Sequence, residues 1–386
     1  MKKKRKSSPP GRFLNPARLG VLLIGLYAQG CQSTGEAQEI ARPAIRAPEM
    51  EPLLRRYEAR ISTQDFASWL NGMRADRSEA RELLALDQSL RGFLAYEGSS
   101  VGLNQYAVGL YKDSTRLFLS SEGMTPSTVR HLASVSKIFT SVAILQLMEA
   151  GKLSLTDDIA IHLPDFALAT KPRDGRPITI ADLMRHSSGI PYHGDGRYLL
   201  KMPVRGNSYR IAGQTRAAGK EGVYSNQNTY ILGAIIEAVS GQGFPDYITQ
   251  RILKPTGMEK SYVTPSANAA SGIYSSVSEM LLFCRALMQP ERQVQPLITR
   301  TSLERMTELP EFEGDPQKTG GFWGLGVRVR YHEGRHLEIY HNGRWTEAGG
   351  RLGYFPEEDV YLVYLGRPEN FRSEDYQNFH HSIGAR

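Results

Sequence analysis

Apolar positions recur along this chain in two rhythms. Residues 106–111 and 115–120 alternate apolar and polar side chains, which predicts a hairpin of two strands. The pattern then changes: Ile138, Phe139, Val142, Ala143, Ile144, Leu145, Leu147 and Met148 leave residues 135–150 apolar almost all round. That is the mark of a helix buried in the middle of a domain, here opened by Ser134 and closed by Gly151. Between Thr140 and Met288 the signals are mainly helices and loops, with apolar runs at 230–239 and 280–288. Beyond Phe322 come four short runs, 324–330, 337–340, 350–355 and 360–365, separated by turn residues such as Glu333-Gly334 and Pro356-Glu357. These predict an antiparallel meander, followed by a last helix over 374–383 capped by Ser373. The expected architecture is α+β: an antiparallel sheet flanked by helices, a mainly helical half, and an active site in the cleft between them.

Charge changes the picture at one end only. Residues 1–30 carry a basic stretch, Lys2, Lys3, Lys4, Arg5, Lys6, Arg12 and Arg18, ahead of a short apolar run from Leu19 to Ala28. Ten helical residues span about 15 Å, half a bilayer core, so the segment reads as an export leader and not as a membrane-spanning helix. Ala28-Gln29-Gly30-Cys31 resembles a lipoprotein cleavage box, and Cys31 is the expected lipidation site. The seven basic residues of the leader account for the whole net charge of +7. The mature chain is formally neutral, which removes any argument for nucleic-acid binding from the basic isoelectric point. Cys284 is then the sole remaining thiol, read as a buried core residue, and no internal disulfide is expected. The chain divides into residues 1–31, a lipoprotein-type export signal; 32–90, a tether and charged helical extension; and 91–386, the body. An exported protein, periplasmic or membrane-anchored through Cys31, is expected.

Chemistry concentrates in three segments. Ser134 and Lys137 are three apart on the predicted buried helix, which puts an amine beside a hydroxyl on one helical face. Burial would lower the lysine pKa toward that of a useful base. This spacing arises about once by chance in a chain of such length, so it needs company. Tyr224-Ser225-Asn226 supplies a phenol and an amide. A tyrosine acting as base near neutral pH must be lowered by about three pKa units, roughly 4 kcal/mol, which calls for close cations in a dry site. His341-Asn342-Gly343-Arg344 follows a predicted strand; Gly343 allows close approach to the backbone, and the amides of Ser134 and Arg344 are candidate oxyanion donors. Gly98-Ser99-Ser100-Val101-Gly102 mimics a nucleophile elbow, but the following residues alternate like a strand where that motif needs a helix. His332, His336 and His341 lack the spacing of a metal site.

Ser134-Val135-Ser136-Lys137, Tyr224-Ser225-Asn226 and His341-Asn342-Gly343, in that order, resemble the class C beta-lactamase and DD-peptidase branch of the penicillin-binding-protein superfamily, with its esterase relatives. Outlying segments agree: His131-Leu132-Ala133, residues 183–191, Pro255-Thr256-Gly257-Met258 and residues 272–276, so that the likeness covers about 91–370. The resemblance implies a beta-lactamase/transpeptidase-like fold and a serine hydrolase working through an acyl-enzyme on an amide, lactam or ester carbonyl. Ser134, Lys137 and Tyr224 would be catalytic, with Asn226, His341, Gly343 and Arg344 binding substrate or oxyanion. No metal or organic cofactor is implied; the partner is a small-molecule or peptide substrate. Relatives that acylate without turnover, as penicillin-binding sensors, and inactive relatives are the alternatives. His341 departs from the lysine of typical beta-lactamases in this branch, and Arg344 is the candidate replacement as carboxylate anchor.

Overall fold

The alternating runs become strands and the all-round apolar run becomes a central helix. The computed structural model describes residues 106–112, 115–167, 176–192, 198–311, 321–332, 335–345, 348–356 and 359–366. The leader with Cys31, the 32–90 extension, the elbow-like segment at 98–102 and the helix expected over 374–383 lie outside the described residues. In chain order the strands are β1 (Tyr106–Lys112), β2 (Thr115–Glu122), β3 (Arg130–His131), β4 (Tyr198–Lys201), β5 (Ser208–Ile211), β6 (Tyr262–Val263), β7 (Ile273–Ser275), β8 (Phe322–Trp323), β9 (Arg328–His332), β10 (Arg335–Arg344), β11 (Gly349–Phe355) and β12 (Val360–Gly366). The longer helices are α1 (Ser136–Glu149), α2 (Asn226–Ser240) and α3 (Val277–Met288).

Seven strands form one sheet in the order β2-β1-β12-β11-β10-β9-β8, every pairing antiparallel. β3, β7 and β6 make a small second sheet, and β4 with β5 a hairpin that the sequence pattern does not predict. α1 is buried along nearly its whole length, as its apolar circumference requires. It stacks Phe139 on Phe283 of α3 with ring centroids 3.9 Å apart, while α3 packs on β1, β11 and β12. α2 lies against α1 on the other side and belongs to the helical half. Cys284 is buried within α3 as a free thiol, as read from the sequence.

Three expectations need correction. Ser134 does not cap α1; it sits in a 3₁₀ turn, Ala133–Val135, without a capping bond, its hydroxyl engaged elsewhere. Residues 324–330 are not one strand, because a turn at Gly324 to Val327 separates β8 from β9; Gly326 takes φ +79°, and a side chain there would overlap Ser141 Oγ. Leu325 and Val327 are both buried in this turn, which is why it imitates strand alternation. Finally, β10 runs through Arg344, so His341, Asn342 and Gly343 lie inside a strand and not at its end.

Candidate active site

Ser134 is placed by strain and by close packing. Ala133, immediately before it, adopts φ +48°, a left-handed conformation that costs a non-glycine residue about 1–3 kcal/mol. Backbone bonds on both sides hold this turn, Leu132 N–H to Ile273 O at 2.9 Å and Val135 N–H to Leu132 O at 3.1 Å. Gly343 of β10 faces the same turn: a Cβ there would overlap the Leu132 carbonyl oxygen and lie 3.1 Å from Ser134 N. Only glycine lets β10 pass this close.

The half-buried Ser134 hydroxyl lies 2.9 Å from Lys137 Nζ, and Tyr224 O–H donates to it at 2.8 Å. Lys137 Nζ also donates to Ala270 O at 3.0 Å, while Thr140, three residues along α1, donates to Ala269 O at 2.6 Å. Lys137 is 2% exposed, and burial alone drives its pKa well below the ordinary lysine value. The Tyr224 pKa moves the other way: burial raises it, and its bond to Ser134 only partly opposes this. Burial thus pulls the two groups in opposite directions, the amine toward its proton-accepting form and the phenol toward its proton-donating one. A neutral amine has a lone pair to accept the Ser134 proton, while the phenol keeps its own to donate.

Tyr224 precedes α2, whose N-cap Ser225 accepts from Gln227 N–H and donates to Pro191 O at 3.0 Å. Asn226 opens the helix; its Oδ1 is 3.1 Å from Tyr224 OH and its Nδ2 donates to Tyr192 OH at 3.1 Å. Behind Tyr224 stands His186, fully buried at φ +55°, with Nδ1 accepting from Ser225 N–H and Asn228 Nδ2. Its ring is 4.7 Å from both Tyr224 and Trp323, and Trp323 stacks on Tyr224 at 5.5 Å. Neither His186 nor Trp323 was assigned a role from sequence; they meet across 137 positions, and no local pattern records that.

His341 is buried against this aromatic group, 5.9 Å from Trp323 and 6.5 Å from Tyr224. Its Nδ1 is 2.7 Å from Asn342 O; a carbonyl only accepts, so Nδ1 carries the hydrogen and Nε2 is an acceptor, enclosed and without a partner among the described residues. Burial first, then the charges of Lys137, Arg328 and Arg351, push its pKa down to about 3. His341 is therefore neutral and no substitute for a lysine. Arg344 does not restore that charge toward Ser134: its exposed side chain falls on the strand face opposite Gly343. Its amide has a different geometry. Trp345 N–H bonds Ala348 O, so by antiparallel alternation Gly343 bonds Gly350 and the Arg344 N–H points away from β11. β9 stops opposite Tyr340, leaving that margin of β10 open.

Two arginines frame the strand. Arg351, 2% exposed, donates to Asn342 Oδ1 at 2.6 Å and to Glu338 Oε1 at 2.5 Å, and lies 4.1 Å from the Tyr340 ring centroid. Arg328 lies over the Trp323 ring at 5.0 Å, is half-buried, has no acidic partner among the described residues, and lowers the pKa of both His186 and His341 by its charge.

The antiparallel sheet, the central helix carrying Lys137 with Ser134 in the turn that leads into it, and the helical half carrying Tyr224 define a beta-lactamase/transpeptidase-like fold. A family model described as Beta-lactamase matches residues 86–378, and the chain belongs to the beta-lactamase family. Protein flp of Staphylococcus aureus (strain N315) is 36% identical over 143 residues, which is 35% of this chain and 28% of that relative's own length. Among solved structures, the octameric penicillin-binding protein homologue from Pyrococcus abyssi matches with a TM-score of 0.61 and 23% identity over 76% of each chain. A D-stereospecific amidohydrolase from Streptomyces sp. matches with a TM-score of 0.61 and 20% identity, covering 78% of this chain and 99% of that one. At these identities the structural likeness is one of fold.

Proposed function

We propose that this protein is an envelope serine hydrolase that works through an acyl-enzyme on Ser134. The observation that carries the reading is the Ser134–Lys137–Tyr224 cluster, in which a buried amine of lowered pKa and a phenol of raised pKa meet one hydroxyl. Ser134 Oγ attacks an amide or ester carbonyl as Lys137 Nζ takes its proton. The amides of Ser134 and Arg344 receive the oxyanion, and Gly343 keeps the two close enough. Tyr224 donates its proton to the departing nitrogen or oxygen and is reprotonated from Lys137, leaving an ester on Ser134 that water hydrolyses. Asn226 holds the phenol, and the neutral His341 lines the pocket. The leader and a lipid on Cys31 would tether the enzyme at the membrane.

Among substrates, a peptide amide with a free carboxylate is favoured by Arg328, a cation with no acidic partner among the described residues that lies over Trp323. That fits the names of the penicillin-binding and amidohydrolase neighbours. An uncharged ester is the second reading, favoured by the neutral His341. Hydrolysis of D-alanyl-D-alanine peptides, their C-terminal amides and matched neutral esters distinguishes the two. The first reading expects Arg328→Ala to raise KM for the free acid about tenfold or more and to leave the amide unchanged. Equal effects on both, or activity on esters alone, would overturn it in favour of the second.

A further inference from the structure

Beside the nucleophile runs a row of rings that the proposed reaction does not use. In the small sheet His131 stands opposite Tyr274, and Tyr274 opposite Tyr262, so their side chains share one face. The centroids are 4.9 Å apart for His131 and Tyr274 and 4.9 Å for Tyr274 and Tyr262, and the Trp345 indole extends the row 5.9 Å from His131. Ile273, the neighbour of Tyr274 on β7, is buried in the core, so the rings form the outward face. Trp345 is 59% exposed and Tyr262 48%, at the two ends of a continuous aromatic patch. Burial lowers the pKa of His131, which favours its uncharged ring.

The row is continuous with the reacting centre. Trp345 directly follows Arg344, the last residue of β10, and His131 lies three residues before Ser134. Tyr224, the donor to the leaving group, is surrounded instead by Tyr192, His186 and Trp323, none of them in the small sheet, and by His341, further back along β10. A carbonyl held between Ser134 and the β10 margin with its leaving group toward Tyr224 therefore has its acyl portion directed toward Trp345. We propose that the Trp345–His131–Tyr274–Tyr262 row is an acyl-group subsite that accepts an extended, uncharged apolar acyl chain. This rests on Ser134 being the nucleophile. Exposed rings alone would tolerate any neighbour; their start at the oxyanion strand selects the substrate's own acyl group.

The test holds the leaving group constant. p-Nitrophenyl acetate and p-nitrophenyl octanoate are compared on the full chain, on Trp345→Ala, on Tyr262→Ala and on Ser134→Ala. The wild type should favour octanoate in kcat/KM; Trp345→Ala should reduce octanoate turnover about tenfold and leave acetate within about twofold, with Tyr262→Ala intermediate. Ser134-dependent hydrolysis that is indifferent to acyl length, or an equal effect of Trp345→Ala on both esters, would overturn the subsite alone. Ester hydrolysis that survives Ser134→Ala would overturn the nucleophile assignment instead.

Discussion

His341 makes the fold sensitive to acid in a calculable way. In the unfolded chain it titrates near 6.5, while in the folded protein burial and the surrounding cations hold it at about 3. Between those values the unfolded state binds a proton that the folded state does not, so stability falls as pH drops below 6.5 and goes on falling toward 3. At about 1.4 kcal/mol per tenfold change in the proton equilibrium, the loss is near zero at pH 7.5, about 2 kcal/mol at pH 5.0, and approaches about 5 kcal/mol at the acid limit. The groups facing the ring, Lys137, Arg328, Arg351 and the imidazole of His186, include no carboxylate that could reverse the sign. His341→Asn keeps an amide nitrogen near Nδ1 to donate to Asn342 O and removes the titration. Urea unfolding of both proteins at pH 7.5 and 5.0 measures the difference. The variant should be destabilised by about 1 kcal/mol at pH 7.5 through lost packing, and this deficit should disappear or reverse by pH 5.0. A deficit that stays constant across the two pH values would refute a neutral, buried His341. His186, lowered in the same direction chiefly by burial, remains in both proteins, and only the part of its shift that comes from His341 changes between them.

Other expectations test neighbouring parts of the site. Lys137→Met should abolish turnover, and wild-type kcat/KM should fall on the acid side as the amine protonates; because the folded pKa is depressed, wild-type stability should also rise with pH toward the ordinary lysine value, a slope that urea unfolding of the variant should lack. Gly343→Ala forces a methyl into the Leu132 carbonyl and the Ser134 amide, so kcat should fall about 100-fold or more while thermal unfolding records a loss of about 1–3 kcal/mol. Arg351→Met removes the short ion pair from the fully buried Glu338, whose contact to Arg330 is a longer 3.8 Å, and should cost about 3 kcal/mol in urea unfolding. Adding Glu338→Leu should recover most of that loss, whereas no recovery would show that Arg351 acts mainly through Asn342.

What the chain reveals by itself depends on whether the decisive neighbour is near in sequence. Ser134 and Lys137 are one helical turn apart, and the apolar circumference of α1 announces that Lys137 is buried, so both the pair and the direction of its pKa can be read from the pattern. The direction for Tyr224 cannot. It is set by how deeply the phenol is buried once elements distant in sequence close over it. Arg344 follows Gly343 in sequence and looks like an anchor, yet strand alternation turns its side chain from the nucleophile and leaves its amide. Arg328 has no motif to mark it; Trp323 brings it to the pocket through a turn that reads as a strand. Ser134 itself resembles a helix cap, but a hydroxyl bonded by both Lys137 and Tyr224 has no capacity left for capping.

The central claim is that Ser134 is the nucleophile and Lys137 its base. Peptide mass spectrometry after exposure to a fluorophosphonate and to a labelled penicillin, on wild type, Ser134→Ala and Lys137→Met, tests it most directly. The expected result is a single adduct on Ser134, absent from Ser134→Ala, strongly slowed in Lys137→Met, and forming more slowly as pH is lowered. An adduct on any other residue, or equal labelling of Ser134→Ala, would contradict it.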